Sequence, residues 1–495
     1  MKGNLSKTFA KNERLPACRC LLFQLSTFGF QLLFLLLFLG CAVGPDYQRP
    51  IVNVPPGWKE VRPQESEGLT QWWKTFGDTN LNTLIEQALE ANQDLKHAAL
   101  RVEEARAVSR VSAADFYPNL TFDPSYSRTK YSPNRPKPIP FQISSFTTDD
   151  FQAPFDLSYE IDIWGRVRRS FEATVTEAQA YAAVYRTVRL TLTADVAQNY
   201  FLLRSFDAES VILQRTIALR KEALKIVNAR YKAGLVSGLD VAQAETELAT
   251  AEVELPDVTR RRTELENALA VLCGKPASEF SLSANPLDLL PPQIPPGLPS
   301  DLLERRPDII EAERLMAATS ARIGVAKAAF FPTIHLTGSA GFESAELSSL
   351  FDWESRLWSF GPTISIPIFQ GGRNKANLEA AKVRYEEAFS QFRQKILVAF
   401  REVEDALANL RLRAEQAEAQ ARAVTAARET TSLATLRYKQ GLVNYLEVLE
   451  AGRAQLQTER AATQILGQRL AYSVLLIKAL GGGWGTTFPA QQEEQ

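Results

Sequence analysis

The chain has 495 residues, enough for about two or three ordinary domains, and its composition excludes several classes of protein. The formal net charge is −1, so no basic surface indicates a nucleic-acid-binding protein. Only two histidines, His97 and His335, and four cysteines are present, which is little material for a metal site or a nucleophilic triad. We expect Cys273, in the apolar run ALAVLCG, to be a packed apolar residue.

The N-terminal residues have the pattern of a secretory signal peptide. Basic residues are followed by an apolar run, LLFLLLFLG, that ends before Cys41. Leu39-Gly40-Cys41 resembles the lipobox of bacterial lipoproteins, whose cysteine is acylated, although Phe38 replaces the usual aliphatic residue. We therefore expect a signal peptide over 1–40 and a lipidated, extended segment over 41–77, with Ala42 directing the protein to the outer membrane. The alternative is an uncleaved membrane helix.

Two segments of the chain are near copies of each other. RYKAGLVSGLDV begins at Arg230 and RYKQGLVNYLEV begins at Arg437, and eight of the twelve positions are identical. Further matches occur at offsets of 207 and 214 residues, so the first copy is seven residues longer between Pro118 and Gly165, where we expect an exposed loop. We predict a first repeat over 78–283, a Pro-rich linker over 284–303, a second repeat over 304–480 and a tail over 481–495.

Within each copy, apolar residues alternate with polar ones over two stretches. The clearest are Phe151 to Trp164, Ile334 to Phe342, and Trp358 to Ile368. A period of two over about ten residues is typical of a strand with one apolar and one wet face, long enough to span a membrane. The alternative is a soluble sandwich of the same strands.

The strands are followed by very long helical segments. No proline occurs from Arg166 to Lys232, and apolar residues recur there every 3.5 residues on average between Phe171 and Phe206. This pattern predicts a continuous coiled-coil helix roughly 100 Å long at about 1.5 Å per residue. Asn374 to Lys439 predicts a second such helix. The alternative is a set of shorter helices in a globular bundle.

The predicted strands cannot function in a single chain. Four strands cannot close a membrane barrel, and an open edge in lipid leaves backbone groups unsatisfied at a cost of several kcal/mol each. Two chains would give about eight strands, which enclose little more than side chains, whereas three give about twelve and an open lumen. The pattern therefore predicts a trimeric conduit.

The sequence resembles the TolC superfamily, specifically the outer-membrane efflux lipoproteins of the OprM and NodT type. The motifs that carry the resemblance occur in order along nearly the whole mature chain: GCAVGPDYQRP, DLSYEIDIWGRVRRS, DVAQNYFLLR, RRPDIIEAERLMAATSARIGVAKAAFFPTI, IPIFQGGR, the two RYKxGLV segments and ALGGGW. The resemblance implies a mixed, mainly α fold. Its parts would be a twelve-stranded transmembrane β-barrel with four strands per chain, a long periplasmic α-helical barrel and an α/β equatorial girdle.

The resemblance also implies a function. The protein would be the passive exit duct of a tripartite efflux pump, carrying small molecules from the periplasm to the exterior. It would be a homotrimer in outer-membrane lipid, with a periplasmic adaptor protein and an inner-membrane pump of the resistance-nodulation-division type as partners. No enzymatic activity, cofactor, metal or nucleic acid is implied.

The repeated motifs lie where one long helix must reverse into the next. The glycines supply the permissive backbone of each turn, and by resemblance the turns form the periplasmic end where the adaptor docks. The expected docking residues are Gly234, Leu235, Val236, Gly441, Leu442 and Val443. The alternative is that these apolar residues only pack the turns.

A periplasmic gate is also carried over by resemblance. Glu447 and Glu450 align with the family's acidic rings, and Leu446 aligns with an apolar constriction. The remaining gate positions are Asp240 on the first turn and the inter-helix link residues Tyr438 and Arg453. Rings of carboxylates in a narrow pore favour cations and bind multivalent ones. The alternative is that the acids are ordinary helix-cap charges.

Two other classes of function remain open from the residues alone. A surface lipoprotein with a helical stalk would explain the coiled coils but not the duplicated strands between them. A lipid-anchored hydrolase has no supporting constellation of residues. Within efflux, drug, metal and protein cargoes are all compatible with the sequence.

Overall fold

The structure, a computed structural model, describes residues 42–60, 71–134 and 145–482. The predicted signal peptide and Cys41 lie outside these residues, as do residues 61–70 of the predicted extended segment, residues 135–144 of the expected loop and residues 483–495 of the predicted tail. Among the described helices, none combines the length and the apolar character needed to cross a membrane.

The elements occur twice in the same order. The first set is α1 (Thr79–Ala91), α2 (Gln93–Ala114), β1 (Asn119–Phe122), β2 (Ser125–Tyr131), β3 (Phe146–Glu160), α3 (Arg166–Lys232) and α4 (Gly238–Leu272). The second is α5 (Leu302–Arg305), α6 (Pro307–Ala328), β4 (Thr333–Ser344), β5 (Arg356–Ser365), α7 (Arg373–Lys439) and α8 (Tyr445–Ala479). Short 3₁₀ turns, among them Trp72–Phe76, lie between them.

Three of the four helix pairs in the two sets match in length, whereas α1 has 13 residues and α5 has four. α2 and α6 each have 22 residues, α3 and α7 each have 67, and α4 and α8 each have 35. Two continuous helices of 67 residues are present, as the absence of helix breakers predicts. The contacts nevertheless divide the chain into two units that do not coincide with the two copies. Unit 1 comprises Met1–Tyr47, Ser109–Thr174 and Thr319–Arg384, and unit 2 comprises the rest.

Unit 1 contains an antiparallel sheet with the order β1-β3-β4-β5, and β2 also pairs with β3. β1 and β2 follow one register on β3, since Asn119 lies opposite Ser158 and Ser125 lies opposite Gln152. The interruption between them contains Pro124, which has no N–H to donate to the ladder. The sheet therefore has four rows of strand, and within the described residues each edge row has a neighbour on one side only.

The register separates an apolar face of this sheet from a polar one. One row across the sheet joins Phe122, Phe155, Ala340 and Trp358. The adjacent row joins Thr121, Asp156, Ser339 and Ser359. The alternation predicted from the sequence is therefore kept across all four rows, because opposite residues in a ladder point to the same face.

Two strands end earlier than the alternating pattern predicts. β3 begins at Phe146 and stops at Glu160, and β5 stops at Ser365, before Ile366 and Ile368. After β3, the Asp162 carboxylate accepts the N–H groups of Val167 and Arg168 at 3.1 and 2.9 Å. This cap begins α3 and turns the chain out of the sheet.

Unit 2 has its own apolar core, which the Trp72–Phe76 turn and α1 form together with α3, α4 and α8. Trp72, Trp73, Phe76, Ile85, Tyr200, Phe201, Leu269 and Val474 are among its members. Cys273 is completely buried in the same cluster, as expected of a packed apolar residue. Burial raises the pKa of its thiol, which keeps it protonated and unreactive.

Candidate functional site in the paired helical turns

The helices of unit 2 form two hairpins that reverse at equivalent positions. Hairpin 1 is α3 and α4, joined by turn 1 (residues 233–237), and hairpin 2 is α7 and α8, joined by turn 2 (residues 440–444). Gly234 has a φ of 71° and Gly441 a φ of 76°, a left-handed conformation that glycine adopts without strain. In both turns the following leucine N–H donates to an arginine carbonyl five residues back, at 2.9 and 3.0 Å. The turns therefore end their helices with the same C-capping motif.

The two apolar residues that follow each glycine have different environments. Leu235 and Leu442 are 73% and 66% exposed. Val236 and Val443 instead pack against a buried cluster formed by Val227, Ala244, Tyr438, Tyr445 and Leu449. Each turn therefore presents one leucine at its surface, while the valine next to it holds the turn against the helices.

Asp240 and Glu447 occupy equivalent positions near the start of α4 and of α8, but only Asp240 takes part in capping its helix. Ser237 and Asp240 form a capping box, in which the Asp240 carboxylate accepts the Ser237 N–H at 2.9 Å. Glu447 occupies the equivalent position of α8, but there the cap is Asn444, whose side chain accepts the Glu447 N–H at 3.3 Å. The Glu447 carboxylate lies 3.8 Å from Arg437. Asp240 is thus engaged by its own backbone, whereas Glu447 is held only by an exposed ion pair.

The remaining acidic and apolar gate candidates lie on the exposed side of α8. Leu446 is 41% exposed, and Glu450 is exposed without a hydrogen bond or ion pair to any described residue. Neither side chain belongs to the buried cluster beneath the turns. Both are therefore available to a pore or to a partner.

The two link candidates both connect hairpin 1 with hairpin 2. Arg453 on α8 donates its Nε to the Glu247 carboxylate on α4 at 2.6 Å. This hydrogen bond raises the pKa of Arg453 above its ordinary value, so the guanidinium stays charged. Arg230 on α3 lies over the Tyr438 ring, with its guanidinium carbon 4.5 Å from the ring centroid. Tyr438 and Arg453 therefore both contact the other hairpin, and their role as links of a gate stays a prediction.

Tyr438 has one further unusual feature. Its ring packs 5.3 Å from that of Tyr445, and burial raises the pKa of Tyr445 to about 12. The Tyr438 hydroxyl is buried and has no hydrogen-bond partner among the described residues. An unsatisfied buried hydroxyl costs about 1–3 kcal/mol, so this contact is held by the ring and not by the hydroxyl.

Sequence reasoning missed the buried carboxylates that tie the two hairpins together. Glu247 on α4 and Glu459 on α8 are 4% and 3% exposed. Glu247 pairs with Arg220 on α3 at 3.0 Å and with Arg453 on α8, and Glu459 pairs with Arg215 on α3 and accepts the Arg428 Nε at 2.7 Å. A signal was present, because Glu247 lies between the buried Ala244 and Ala251 at helical spacing, where an apolar residue is expected.

The described residues contain no group of three or more histidine, cysteine, aspartate or glutamate side chains that could hold a metal ion.

Comparison with known proteins decides what kind of molecule carries this arrangement. The family described as "Outer membrane efflux protein" matches residues 84–275 and 298–482. The chain belongs to this family of efflux channels. The Escherichia coli cation efflux system protein CusC is 36% identical over 454 residues, covering 90% of this chain and 96% of that protein. Outer membrane protein OprJ of Pseudomonas aeruginosa is 36% identical over 465 residues, covering 92% and 96%.

Solved structures agree with the sequence relatives. The outer-membrane channel OprN superposes with a TM-score of 0.84 at 31% identity, covering 90% of this efflux channel and 100% of that chain. These matches confirm the resemblance to the TolC superfamily and the mainly helical fold with a small sheet. The protein is an outer-membrane efflux channel that extends into the periplasm, and it is a non-enzymatic component of an efflux system.

Proposed function

We propose that three copies of this efflux channel form one exit duct through the outer membrane. The observation that carries the proposal is the sheet of unit 1, which has an apolar face, a polar face and two edge rows, each paired on one side only. Such edges are costly in lipid, so they pair with neighbouring copies. Three chains with four rows each make a barrel of about twelve strands, whose polar face lines a lumen.

The duct is anchored by a lipid on Cys41. This residue lies outside the described part of the chain, but the residues that follow it are held firmly in unit 1. The Val43 N–H donates to the Trp164 carbonyl at 2.9 Å, and Asp46 forms an ion pair with Arg169 at 2.5 Å. Gly44 lies so close to Gly324 that a Cβ would be 2.5 Å from its Cα. These contacts support an anchor held beside the end of β3.

The periplasmic turns dock on an adaptor protein, which connects the duct to an inner-membrane pump of the resistance-nodulation-division type. The exposed Leu235 and Leu442 support this proposal, because solitary apolar side chains on a polar rim suit a protein partner. The remaining docking residues, Gly234, Val236, Gly441 and Val443, shape the turns that present them.

The acids near turn 2 form the periplasmic gate. In a trimer, Glu447 and Glu450 give rings of carboxylates around the axis, with Leu446 as the apolar constriction and with Asp240, Tyr438 and Arg453 holding the helices. The exposure of Glu450 supports its access to the pore. Such rings favour the entry of cations and bind multivalent ones.

The cargo is a small molecule chosen by the inner-membrane pump. The relatives include the cation efflux protein CusC at 36% identity and the solvent efflux protein SrpC of Pseudomonas putida at 35%. These relatives carry very different cargoes, yet they are about equally similar in sequence to this chain. This favours a passive duct that has no cargo-binding site of its own.

The purified, detergent-solubilised protein tests the proposal. Native mass spectrometry is expected to give three times the mass of the mature chain, and insertion into planar bilayers is expected to give discrete conductance steps. A monomer without conductance would overturn the proposal. A stable trimer without conductance would indicate a closed duct, and the double variant Glu447→Ala, Glu450→Ala is expected to open it. If that variant also fails to conduct, the proposal of a duct is wrong.

A further inference from the structure

The sheet of unit 1 has one end that is joined to helices and one end that is not. β3 and β5 lead into α3 and α7, and β1 and β4 follow α2 and α6. The opposite ends of the strands, at Tyr131, Phe146, Ser344 and Arg356, lie away from these helices. Because the proposed duct has its long helices in the periplasm, this free end of the sheet faces the cell exterior. We call it the outer rim.

Arg356 lies at the outer rim on the apolar face of the sheet. It is two residues before Trp358 on β5 and opposite Phe342 on β4, and both of these neighbours belong to that face. The eight residue steps from Arg356 to Ile364 span roughly 26 Å of strand at about 3.3 Å each. The apolar band of an outer-membrane barrel is about 25 Å tall. Since the strands tilt, Arg356 lies at the outer border of this band.

Two further bases lie on the same face, on β2. Arg128 and Lys130 follow Tyr126 at intervals of two residues. Tyr126 lies opposite Phe151, which belongs to the apolar face. The Arg128 side chain is 66% exposed and lies 3.6 Å from Asp149, so the two are only loosely paired. Lys130 is exposed and forms no ion pair with a described residue.

The acids in the same part of the sheet lie on its other face. Gln152 donates its Nε2 to Asp150 at 2.8 Å and to Glu343 at 3.5 Å. These three residues share the polar face with Asp156. Counted over the five described strands, the apolar face carries three bases and one acid, whereas the polar face carries four acids and neither lysine nor arginine. The two faces therefore differ in the sign of their charge as well as in polarity.

The loop between β4 and β5 adds aromatic rings beside Arg356. The Phe351 ring lies 5.6 Å from that of Phe342, centroid to centroid, so it packs on the apolar face of the sheet. The Arg356 guanidinium lies over the Trp353 ring, and its Nε donates to the Trp353 carbonyl at 2.5 Å. Phe351 and Trp353 are nevertheless 71% and 70% exposed. Two exposed rings and a guanidinium thus lie together at the outer rim.

This loop is held in shape by its own serines. The Ser355 hydroxyl donates to the Ser349 carbonyl at 2.7 Å, and the hydroxyls of Ser344 and Ser349 are 2.8 Å apart. Asp352 and Glu354 are in the same loop, but within the described part of the chain no acid forms an ion pair with the nearby guanidinium of Arg356. The positive charge is therefore ordered and open to an anion from outside the chain.

We propose that the outer rim binds the phosphate-bearing headgroup of a lipid in the outer leaflet. Arg356 and Lys130 contact the phosphate, because a guanidinium matches its oxygens and an ammonium supplies a further charge. Phe351 and Trp353 lie at the boundary between headgroup and acyl chains, where aromatic rings are enriched.

The position of the bases suits a site between copies of the chain. Arg356 is on one edge row of the sheet, and Arg128 and Lys130 are on the other. In the proposed duct, the β5 row of one copy adjoins the β1 and β2 row of the next, so the bases of two copies flank one seam. The inference therefore rests on the proposed trimeric duct and adds a lipid to its outer surface.

Native mass spectrometry of the full, detergent-solubilised chain tests the site. The probe is bisphosphorylated lipid A, and it is compared with the same glycolipid after its phosphates have been removed. We expect the phosphorylated probe to bind about tenfold more tightly, the lower end of the effect of a hydrogen bond between charged groups. Equal affinity for the two glycolipids would overturn the proposal.

Substitution of the bases assigns this preference to the outer rim. Arg356→Gln with Lys130→Gln is expected to remove it, and a preference that survives in this variant would overturn the assignment. Arg356→Lys keeps the charge and is expected to keep most of the preference. Its loss in that variant would show that the effect comes from the shape of the loop and would overturn the charge pairing. Arg401→Gln is the matched control, since Arg401 is a 67% exposed arginine on α7.

Two further outcomes identify the source of the phosphate and separate the inference from the duct. Inorganic phosphate in excess is expected to leave the glycolipid bound, because the free anion makes no contact with Phe351 or Trp353. Complete displacement would mean that the outer rim binds a free anion and not a lipid. If the trimer conducts but shows no preference between the glycolipids, the lipid site is wrong and the duct stands. If the protein is a monomer without conductance, both fall.

Discussion

Asp240 and Glu447 occupy the same position in two copies of one motif, but their carboxylates have different structural roles. Each is the third residue of its helix, but the Asp240 carboxylate is engaged by the backbone and hydroxyl of Ser237 at 2.9 and 3.0 Å. Glu447 leaves the capping to Asn444. A carboxylate used as a cap contributes less to the potential of a pore than one that faces solvent. The negative potential proposed at the gate therefore comes from Glu447 and Glu450.

At this scale we predict the effect of removing those two charges. Glu450→Ala, alone or with Glu447→Ala, is expected to weaken block of the pore by multivalent cations about tenfold, because each substitution removes a ring of carboxylates. The measurement is the concentration for half block in planar bilayers. Asp240→Asn keeps a capping side chain and serves as the control with nearly unchanged block. Unaltered block in the double variant would remove both glutamates from the gate.

At the scale of helices, the hairpins are joined by ion pairs as well as by apolar contacts, since the buried Glu459 on α8 pairs with Arg215 on α3. Burial alone would raise the pKa of Glu459, but the hydrogen bonds from Arg428 and Gln455 outweigh it, so the pKa lies below its ordinary value. The folded state therefore favours the ionised acid more than the unfolded chain does. The resulting stability is present above the unfolded pKa of about 4.3 and is lost as the pH falls through the lower, folded pKa.

Glu459→Gln tests this coupling between the helices. The variant is expected to be less stable near neutral pH by about 2 kcal/mol, an ordinary value for a hydrogen bond to a charged group. The difference from the unchanged protein is expected to shrink as the pH falls below about 4. Thermal unfolding followed by circular dichroism measures it. Glu264→Gln, which alters a more exposed ion pair on α4, is the control, and a difference that does not depend on pH would contradict the prediction.

At the scale of the whole assembly, we expect the turns to matter for docking and not for folding. Leu442→Asp is expected to abolish efflux while trimers still reach the outer membrane, because the leucine is 66% exposed and Val443 holds the turn. Drug susceptibility of cells measures efflux, and a surface-biotinylation assay measures the trimers. Leu290→Asp, at an 82% exposed leucine in the linker, is the control. Full resistance with Leu442→Asp would argue against docking through turn 2.

Much of the fold follows from patterns that are local in sequence. The helix expected from Arg166 to Lys232 has those bounds in the structure, because no residue between them interrupts a helix and Gly234 ends it. The strands were less predictable at their ends. Alternation continues to Trp164, but the Asp162 cap removes the chain from the sheet after Glu160, and side-chain capping outweighs a pattern of alternating residues.

The candidate site was also predictable from the sequence only in part. The turn glycines and exposed leucines follow from the repeated RYKxGLV motif. The inward packing of Val236 and Val443 does not, because it depends on tyrosines and leucines from both hairpins. The boundaries proposed for the two sequence copies stay predictions, and the contacts group the chain into other units.

The amino-acid order by itself determined the repeat, the long helices, the two-faced strands and the family, since each depends on periodicity or on residues close together in the chain. Only the tertiary structure decided which of two equivalent acids is buried. Glu252 and Glu459 have matching bases on the neighbouring helix, yet one side chain is 45% exposed and the other 2%. The reason is physical, because burial depends on which helix from a distant part of the chain lies against the acid, and the equivalent positions do not encode that choice.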